Sequence, residues 1–346
     1  MKRTTLTSCG VVAWLLLSGA AAYAQFTNFY VSPSGTSVYP YTNWQTAANI
    51  IQLAVDAAPA NSTIFVTNGV YSTGGKLAVG STVSNRVVIN KVVTLRSVNG
   101  PTKTIIQGSP DFVYPVRGVY LGYGTLEGFT VTNGGTFVAA ALSEGGGGGI
   151  YASVSSIISN CIITGNRATV GGGVMNGQYR NCVITNNYAD VGGGAAGQFG
   201  NGSGLYGCTV VNNSAAELGG GSIGITCTNC VFSGNSAIIG GGAYQSFLQS
   251  CTLMNNRAFR YGGGTVGSNA VNCIIYDNLA MIEGTENYTN VPYMLACCTT
   301  PLPSAGALNI TNPPLVIEPG NPRLLPDSPC INVGYNYPWM STATDI

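Results

Sequence analysis

Two acidic residues, Asp190 and Glu217, hold the same place in a repeated pattern. Each lies two residues before a run of three glycines, which begins at Gly192 or at Gly219. If successive copies of the pattern stack as neighbouring β-strands, the two carboxylates stand about 5 Å apart at the backbone. Retaining glycosidases hold their two carboxyl groups at about that separation. The pair is therefore the candidate for cleavage of a glycosidic bond.

Other features favour a non-catalytic interpretation of this pair. The chain contains no histidine, which excludes Ser-His-Asp and Cys-His nucleophile systems and histidine zinc sites. The corresponding residue of the next copy is Ile238, which does not suggest a polar cleft. The C-x-x-C of Cys227 and Cys230 lacks the context of a redox motif. We therefore expect solvated carboxylates, no metal site and no cofactor.

A ligand-contacting patch is a second interpretation of the same region. When the copies of the pattern are aligned on their glycine triplets and stacked, Tyr188, Asp190, Glu217 and Arg260 lie near one corner of the stack and face outward. Together these residues combine an aromatic ring with charges of both signs. We predict that they contact a polysaccharide or a cell-surface glycan, and the structural alternative is a solvated corner that binds nothing.

The elements that would position these residues are six copies of one pattern, in residues 160–282. Each copy begins on a cysteine, at intervals of 21 to 26 residues: Cys161, Cys182, Cys208, Cys230, Cys251 and Cys273. A large apolar residue follows two positions later, so that both side chains share one strand face. Asparagine follows five positions after each cysteine: Asn166, Asn187, Asn213, Asn235, Asn256 and Asn278.

A fixed period of this length predicts a solenoid. The segments between asparagine, glycine and serine are short and rich in Val, Ile, Thr and aromatic residues, which favours strands over helices. We therefore predict an all-β fold, a parallel β-helix, in which the asparagines form a hydrogen-bonded ladder along the stack. The glycine triplets would supply positive φ at a corner and room for close backbone approach.

The N-terminal residues predict export. Lys2 and Arg3 precede an apolar run at 11–17, and Ala22-Tyr23-Ala24 forms a small-residue cleavage site. We expect residues 1–24 to be a cleaved signal peptide and 25–346 to be a single β-helix domain without a transmembrane segment. The mature chain is expected to be secreted, extracellular or associated with a bacterial outer membrane.

Residues 25–159 are expected to form irregular coils and an N-terminal cap. The segment 43–58 has apolar residues at helical spacing, with Asn43 as its N-cap. Such a helix, laid across the first coil, would cover the open strand edges. A further coil is predicted to have Gly128 in the cysteine position and Asn133 in the asparagine position.

Residues 283–346 differ in character, because eight prolines fall between Pro301 and Pro329. Proline cannot donate to a strand ladder, which predicts an extended edge or loop segment, closed by a strand at 330–333. The chain ends at Ile346 without a sorting sequence, which is typical of a fragment of a longer protein.

Several motifs resemble known families. Phe232-Ser233-Gly234-Asn235, followed by Gly241-Gly242-Ala243-Tyr244, resembles the F-x-x-N and G-G-A-[ILVY] motifs of polymorphic outer-membrane protein repeats. The opening Tyr30-Val31-Ser32-Pro33-Ser34-Gly35 resembles that of pectate-lyase-like β-helix proteins. Ser328 to Gly334 resembles the closing coil of secreted β-helix proteins from environmental bacteria. These resemblances and the chirality rule for parallel crossovers imply right-handed winding, but they leave the activity open.

The low content of charged residues excludes one class of function. Only 7% of the residues are charged and the net charge is +1, which excludes the electrostatic footprint of nucleic-acid binding. We predict an exported, non-catalytic stem, adhesin-like or glycan-contacting. The alternative is a polysaccharide lyase or glycoside hydrolase of the pectate-lyase-like type, although the sequence shows no calcium-binding acidic cluster such as pectate lyases use. The sequence leaves the ligand and the oligomeric state open.

Overall fold

The chain winds into a stack of coils built from short strands. The structure is a computed structural model that describes residues 28–111, 113–136, 142–198, 200–318 and 321–336. The predicted signal peptide, 1–24, lies outside the described residues. Each regular coil passes in turn through four sheets, here numbered 1 to 4 in chain order, and within each sheet every strand of these coils pairs in parallel with the strand of the next coil. The predicted parallel β-helix is confirmed.

The strands of sheets 1 and 2 run nearly the whole length of the described stack. Sheet 1 contains Asn28–Val31, Thr63–Val66, Thr94–Ser97, Thr125–Glu127, Ile157–Ser159, Gln178–Arg180, Gly204–Tyr206, Thr226–Thr228, Phe247–Gln249, Asn269–Val271, Met294–Leu295 and Gly306–Ala307. Sheet 2 contains Gly69–Tyr71, Thr104–Gln107, Thr130–Thr132, Ile162–Thr164, Val183–Thr185, Thr209–Val211, Val231–Ser233, Thr252–Met254, Ile274–Tyr276 and Cys298–Thr299.

Sheets 3 and 4 complete each coil. Sheet 3 contains Gly135–Thr136, Arg167–Val170, Tyr188–Val191, Ser214–Leu218, Ser236–Ile239, Arg257–Tyr261 and Leu279–Ala280. Sheet 4 contains Lys76–Leu77, Ser84–Ile89, Val116–Leu121, Ile150–Ala152, Val174–Met175, Ala195–Ala196, Ser222–Ile223, Ala243–Tyr244, Thr265–Val266 and Tyr288–Thr289. The remaining elements are an antiparallel pair and two short helices: Val316–Glu318, Asn321–Leu324, Ile51–Ala57 and Leu142–Gly145.

The corners explain why the sequence is so rich in asparagine and glycine. In the coil that begins at Ile157, the first three turns between sheets each contain one residue with positive φ, and the fourth contains two: Asn160, Gly165, Gly171, and Asn176 with Gly177, at 53°, 65°, 63°, 54° and 81°. This left-handed backbone region costs an ordinary L-residue about 1–2 kcal/mol and is tolerated best by glycine and asparagine. A coil of little more than twenty residues therefore needs several such residues.

The interior of the stack is filled by aligned columns of apolar side chains. The six anchor cysteines and the apolar residue two positions after each, such as Ile163 and Phe232, are all buried. Because the register pairs equivalent residues of successive coils, each column is continuous along the axis. One strand face therefore packs inward in every coil.

The six asparagines form a continuous hydrogen-bonded file at the corner between sheets 2 and 3. Each side-chain amide donates to the Oδ1 of the next asparagine at 2.9–3.0 Å, from Asn166 through to Asn278. The same Oδ1 also accepts the backbone N–H of the preceding asparagine. Asn287 is a seventh member, because its Oδ1 accepts the amide of Asn278 at 3.1 Å.

The coil before the array differs from the prediction by one residue. Val131 pairs with Ile163, which places Phe129 in the cysteine column and Gly134 in the asparagine position. The predicted Asn133 is instead the corner residue, with φ of 52°. The ladder therefore ends at Asn166, whose Oδ1 accepts the backbone N–H of Gly134 at 2.8 Å.

The predicted helix over residues 43–58 is too long. The helix begins at Ile51 and ends at Ala57, and Asn43 instead accepts the backbone N–H of Thr46 in a separate turn. The preceding residues cannot be helical, because they hydrogen-bond to the first strand of sheet 1. Ala48, for example, donates its N–H to Tyr30 and accepts the N–H of Ser32.

The same N-terminal region occupies the outer edges of two sheets. In sheet 1, the backbone groups of Ala48 form hydrogen bonds with the first strand. In sheet 4 the amide of the buried Gln52 binds both backbone groups of Val88, accepting from its N–H at 2.7 Å and donating to its carbonyl at 3.1 Å. A side-chain amide thus takes the place that a neighbouring strand would fill.

We expect Gln52→Ala to destabilise the protein by about 1–3 kcal/mol, because it leaves both backbone groups of Val88 without a partner in a buried position. Urea unfolding followed by far-UV circular dichroism measures the loss. The matched control is Gln45→Ala, whose side chain is exposed on the segment just before the helix. Equal stability of the two variants would contradict a role for Gln52 at the strand edge.

The C-terminal region also departs in part from the prediction. The expected strand at 330–333 is a turn, and the proline-rich segment contains a short strand of sheet 1 at Gly306–Ala307. The stack continues past residue 282, because Cys297 aligns with Cys273 and is buried. No helix among the described residues is long and apolar enough to cross a membrane.

Candidate functional site

A single file of outward side chains runs along sheet 1, on the solvent side of the strands. The register aligns the third residue of each of the first seven strands, so that one side chain stands above the next: Tyr30, Phe65, Arg96, Glu127, Ser159, Arg180 and Tyr206. The residues before them in these strands, such as Ile64 and Tyr179, are buried. We call these seven side chains the sheet 1 file.

The N-terminal end of the sheet 1 file is aromatic. The rings of Tyr30 and Phe65 stack with 5.9 Å between centroids, and Trp44 meets Tyr30 edge-on at 4.5 Å. Trp44 comes from the segment that covers the sheet edge, and its side chain is 44% exposed. The three rings therefore present a partly exposed apolar surface on this face.

The middle of the sheet 1 file is charged. Arg96 and Glu127, on adjacent coils, form an ion pair at 2.7 Å, and their side chains are 47% and 29% exposed. Two coils further along, the guanidinium of Arg180 lies 5.1 Å from the ring centroid of Tyr206. These contacts order the long arginine side chains along the surface while their charged groups stay accessible to a ligand.

The arrangement suits the binding of an extended chain with a regular repeat. Aromatic rings pack against the apolar C–H faces of sugar rings, while guanidinium, carboxylate and hydroxyl groups bond to their hydroxyls. The coils rise by about 4.8 Å each, which is close to the length of one sugar unit in an extended polysaccharide. Successive side chains of the file can therefore meet successive units of one ligand.

The four residues predicted from the sequence lie together on sheet 3, at a different face. Tyr188 and Asp190 belong to one strand, Glu217 to the strand of the next coil and Arg260 to a strand two coils beyond that. Arg260 is therefore about 10 Å along the stack from Glu217. The structure brings Asp190 and Glu217 close but separates Arg260 from them.

The predicted carboxylates occupy equivalent positions on adjacent coils. Each precedes an apolar residue, and these residues, Val191 and Leu218, are paired in the register. Both carboxylates are exposed, and within the described part of the chain neither forms an ion pair. Ile238, on the next coil, is 43% exposed. The surroundings thus lack the desolvation and charge partners by which enzymes usually activate a pair of carboxylates.

The other residues near this corner are paired with one another. The guanidinium of Arg167 lies 4.8 Å from the ring centroid of Tyr188, and that of Arg260 lies 5.5 Å from the ring centroid of Tyr261. Among the described residues, no group of three or more His, Cys, Asp or Glu side chains could hold a metal ion. The two ring contacts order the arginine side chains along the surface at this corner.

Comparison with known proteins defines the fold. No family model and no curated protein sequence matches the chain. A pectate lyase, Pel9A, superposes with a TM-score of 0.59 at 14% identity over 90% of this chain and 92% of the lyase. A rhamnogalacturonan lyase superposes with a TM-score of 0.51 at 13% identity, over 82% of this chain and 87% of the rhamnogalacturonan lyase chain. Both are right-handed parallel β-helices.

This chain has that fold. At such low identity the likeness concerns the right-handed β-helix alone, and no residue role is transferred from either lyase. The sequence analysis did not predict the sheet 1 file, although part of it has a fixed place in the repeated pattern. Ser159, Arg180 and Tyr206 each stand two residues before an anchor cysteine. The signal was weak because these three residues share no chemical type.

Proposed function

We propose that this chain is an exported right-handed β-helix stem that binds an extended polysaccharide along the sheet 1 file without cleaving it. The observation that carries the proposal is the alignment of seven outward aromatic, charged and polar side chains at one-coil spacing. Export rests on the signal-like residues 1–24, and a surface or extracellular location follows from it. The role is adhesin-like, because the stem holds a glycan.

Binding along the file gains from repetition. Each ring or guanidinium contributes a weak contact, and a rigid stack holds the contacts at fixed intervals, so that little conformational entropy is lost on binding. A polymer that meets several contacts at once binds more tightly than its short fragments. The affinity should therefore rise steeply with the length of the oligosaccharide.

We expect Tyr206→Ala and Arg180→Ala each to weaken binding of a matching polysaccharide by about 10-fold, because each removes one ordered contact from the file. Affinity electrophoresis of the purified protein through gels that contain plant or algal polysaccharides identifies a ligand, and calorimetry with its oligosaccharides then measures the dissociation constant. Tyr244→Ala is the matched control, since this tyrosine faces outward on sheet 4 and is partly exposed.

Two outcomes would contradict this assignment of the site. Equal weakening by Tyr244→Ala would show that binding has no preference for sheet 1. Loss of binding in Tyr188→Ala and Arg260→Ala, with Tyr206→Ala unaffected, would move the glycan site to the corner on sheet 3. The glycan site would then be the one predicted from the sequence, at Tyr188, Asp190, Glu217 and Arg260, and not the sheet 1 file.

The catalytic alternative has one supporting observation, the adjacent positions of Asp190 and Glu217. It is tested by incubating the protein with polygalacturonate and a panel of other polysaccharides, with and without calcium, while reducing ends and unsaturated products are followed. We expect no turnover. Turnover that disappears in both Asp190→Asn and Glu217→Gln would replace the binding function with hydrolysis or elimination at this carboxylate pair.

A further inference from the structure

The end of the described chain folds back onto the last coils. Tyr335 donates its backbone N–H to Oδ1 of Asn272 at 2.7 Å and accepts the amide of Asn272 at 2.8 Å. Asn272 is a corner residue between sheets 1 and 2, with φ of 54°. The segment 328–336 thus lies outside this corner, and a cavity of about 110 Å³ separates it from the stack.

Four cysteines line this cavity: Cys273, Cys297 and Cys298 from the stack and Cys330 from the returning segment. Cys298 belongs to the last strand of sheet 2 and is buried, and its Sγ donates to the carbonyl of Asn312 at 3.2 Å. Cys330 lies in the turn of the returning segment and is partly exposed. Both cysteines are free thiols, and both line the same cavity of about 110 Å³.

We propose that Cys298 and Cys330 are a redox modification site, at which a disulfide fastens the returning C-terminal segment to the end of the stack. The observations that carry the proposal are that both thiols line one small cavity and that Cys330 lies in a partly exposed turn beside the buried Cys298. A covalent bond here would join residues that are distant in sequence and would remove the opening motion of the segment.

The anchor cysteines do not offer an equivalent site, although they also form a file of neighbouring thiols. Their strands are held in parallel register by the sheets on both sides, which keeps equivalent Cβ atoms about 4.8 Å apart. A disulfide needs about 3.8 Å between Cβ atoms, so a bridge within the file would pull two coils out of register. Cys330 lies in a turn and can approach Cys298 without such a cost.

The environment of Cys330 also favours reaction, because this thiol is partly exposed whereas the anchor thiols are buried. The neighbouring Cys298 thiol lowers the pKa of Cys330 to about 7, and the pKa of Cys298 is raised in turn. Cys330 therefore carries thiolate near neutral pH, which is the attacking form. By contrast, burial raises the pKa of the Cys227, Cys251 and Cys273 thiols.

A small-molecule disulfide such as oxidised glutathione supplies the oxidising equivalents. The Cys330 thiolate attacks one of its sulfurs, the disulfide bond of glutathione breaks, and one glutathione leaves as a thiolate. Cys298 then loses its proton to solvent and attacks the Cys330 sulfur of the mixed disulfide, which releases the second glutathione. The two protein thiols are oxidised, and one glutathione disulfide is reduced to two thiols.

The experiment maps the thiols of the whole purified protein after incubation with oxidised glutathione. Free thiols are alkylated in denaturant with a light reagent, disulfides are reduced, and the freed thiols are alkylated with a heavy reagent. We expect the heavy label on Cys298 and Cys330 and the light label on all six anchor cysteines. Light label on both members of the pair, or a bridge between Cys330 and any other cysteine, would overturn the proposal.

A second measurement follows the fastening of the C-terminal segment directly. Trypsin cleaves after Arg323, within the antiparallel pair that precedes the returning segment. In the oxidised protein the C-terminal peptide should stay attached until reductant is added, whereas Cys330→Ser should release it without reductant. Cys227→Ser, a buried thiol outside the pair, should retain the peptide like the unaltered chain. Equal release from the oxidised chain and Cys330→Ser would contradict the fastening role.

Discussion

Replacing Gly193 with alanine is expected to destabilise the protein by about 4 kcal/mol or more, because the added methyl group would meet the backbone of the next coil. A Cβ at this position would stand 2.3 Å from the carbonyl oxygen of Ser214 and 2.6 Å from that of Gly220. Neither atom belongs to a side chain that could rotate away. The coils would have to separate, which breaks hydrogen bonds of the glycine triplets on both sides.

The control for this prediction is Gly80→Ala. Gly80 has φ of +77°, and a Cβ there would meet nothing within 4 Å. Its replacement therefore carries the cost of the left-handed backbone alone, about 1–2 kcal/mol. Urea unfolding followed by circular dichroism compares the two variants. If Gly193→Ala costs no more than Gly80→Ala, close approach of the coils is not what the triplets provide.

The glycine and asparagine positions were predictable because one physical requirement recurs in every coil. A side chain that stacks on its own equivalent must satisfy the same neighbours each time, so the same residue type returns at a fixed interval. The period, the strand faces and the asparagine file can all be read in this way. The requirement is local to one coil and its successor, which is why a single sequence reveals it.

The N-terminal helix illustrates what periodicity cannot decide. Ala47 and Ile50 fit the apolar face of a helix, but Ala47 precedes the residue that pairs with the first strand and lies outside the helix. The backbone groups of this segment bond to a strand some fifteen residues earlier in the chain. Tertiary hydrogen bonding of this kind overrides the local preference for a helix, and the sequence contains no repeat that indicates it.

The sheet 1 file and the late coils were missed for a related reason. Phe65, Arg96 and Glu127 come from coils that lack the anchor cysteine and the ladder asparagine, so their alignment is visible only once the register is known. Asn287 follows Asn278 by nine residues within the same coil, because it stands at the place of the third triplet glycine, just before Tyr288, which pairs with Thr265. A ligand surface has no need to repeat one residue type, and it therefore leaves no periodic signal.

Asn235→Ala should cost about 3 kcal/mol, because it removes four buried hydrogen bonds from the middle of the asparagine file. The amide of Asn235 donates to Oδ1 of Asn256 at 2.9 Å and to the carbonyl of Val210 at 2.8 Å. Its Oδ1 accepts the backbone N–H and the side-chain amide of Asn213, both at 3.0 Å. Alanine supplies none of these groups, and the space is too enclosed for free access of water.

Two further variants show whether the file acts as a continuous unit. Asn278→Ala should be equally destabilising, since Asn287 extends the file and gives Asn278 the same set of partners. Asn68→Ala removes an exposed side chain whose Oδ1 accepts the amide of Asn99 at 2.8 Å, and it should change the free energy of unfolding by less than about 0.5 kcal/mol. Similar losses at Asn235 and Asn68 would mean that solvent replaces the ladder bonds, and the buried file would then contribute shape without hydrogen-bond stability.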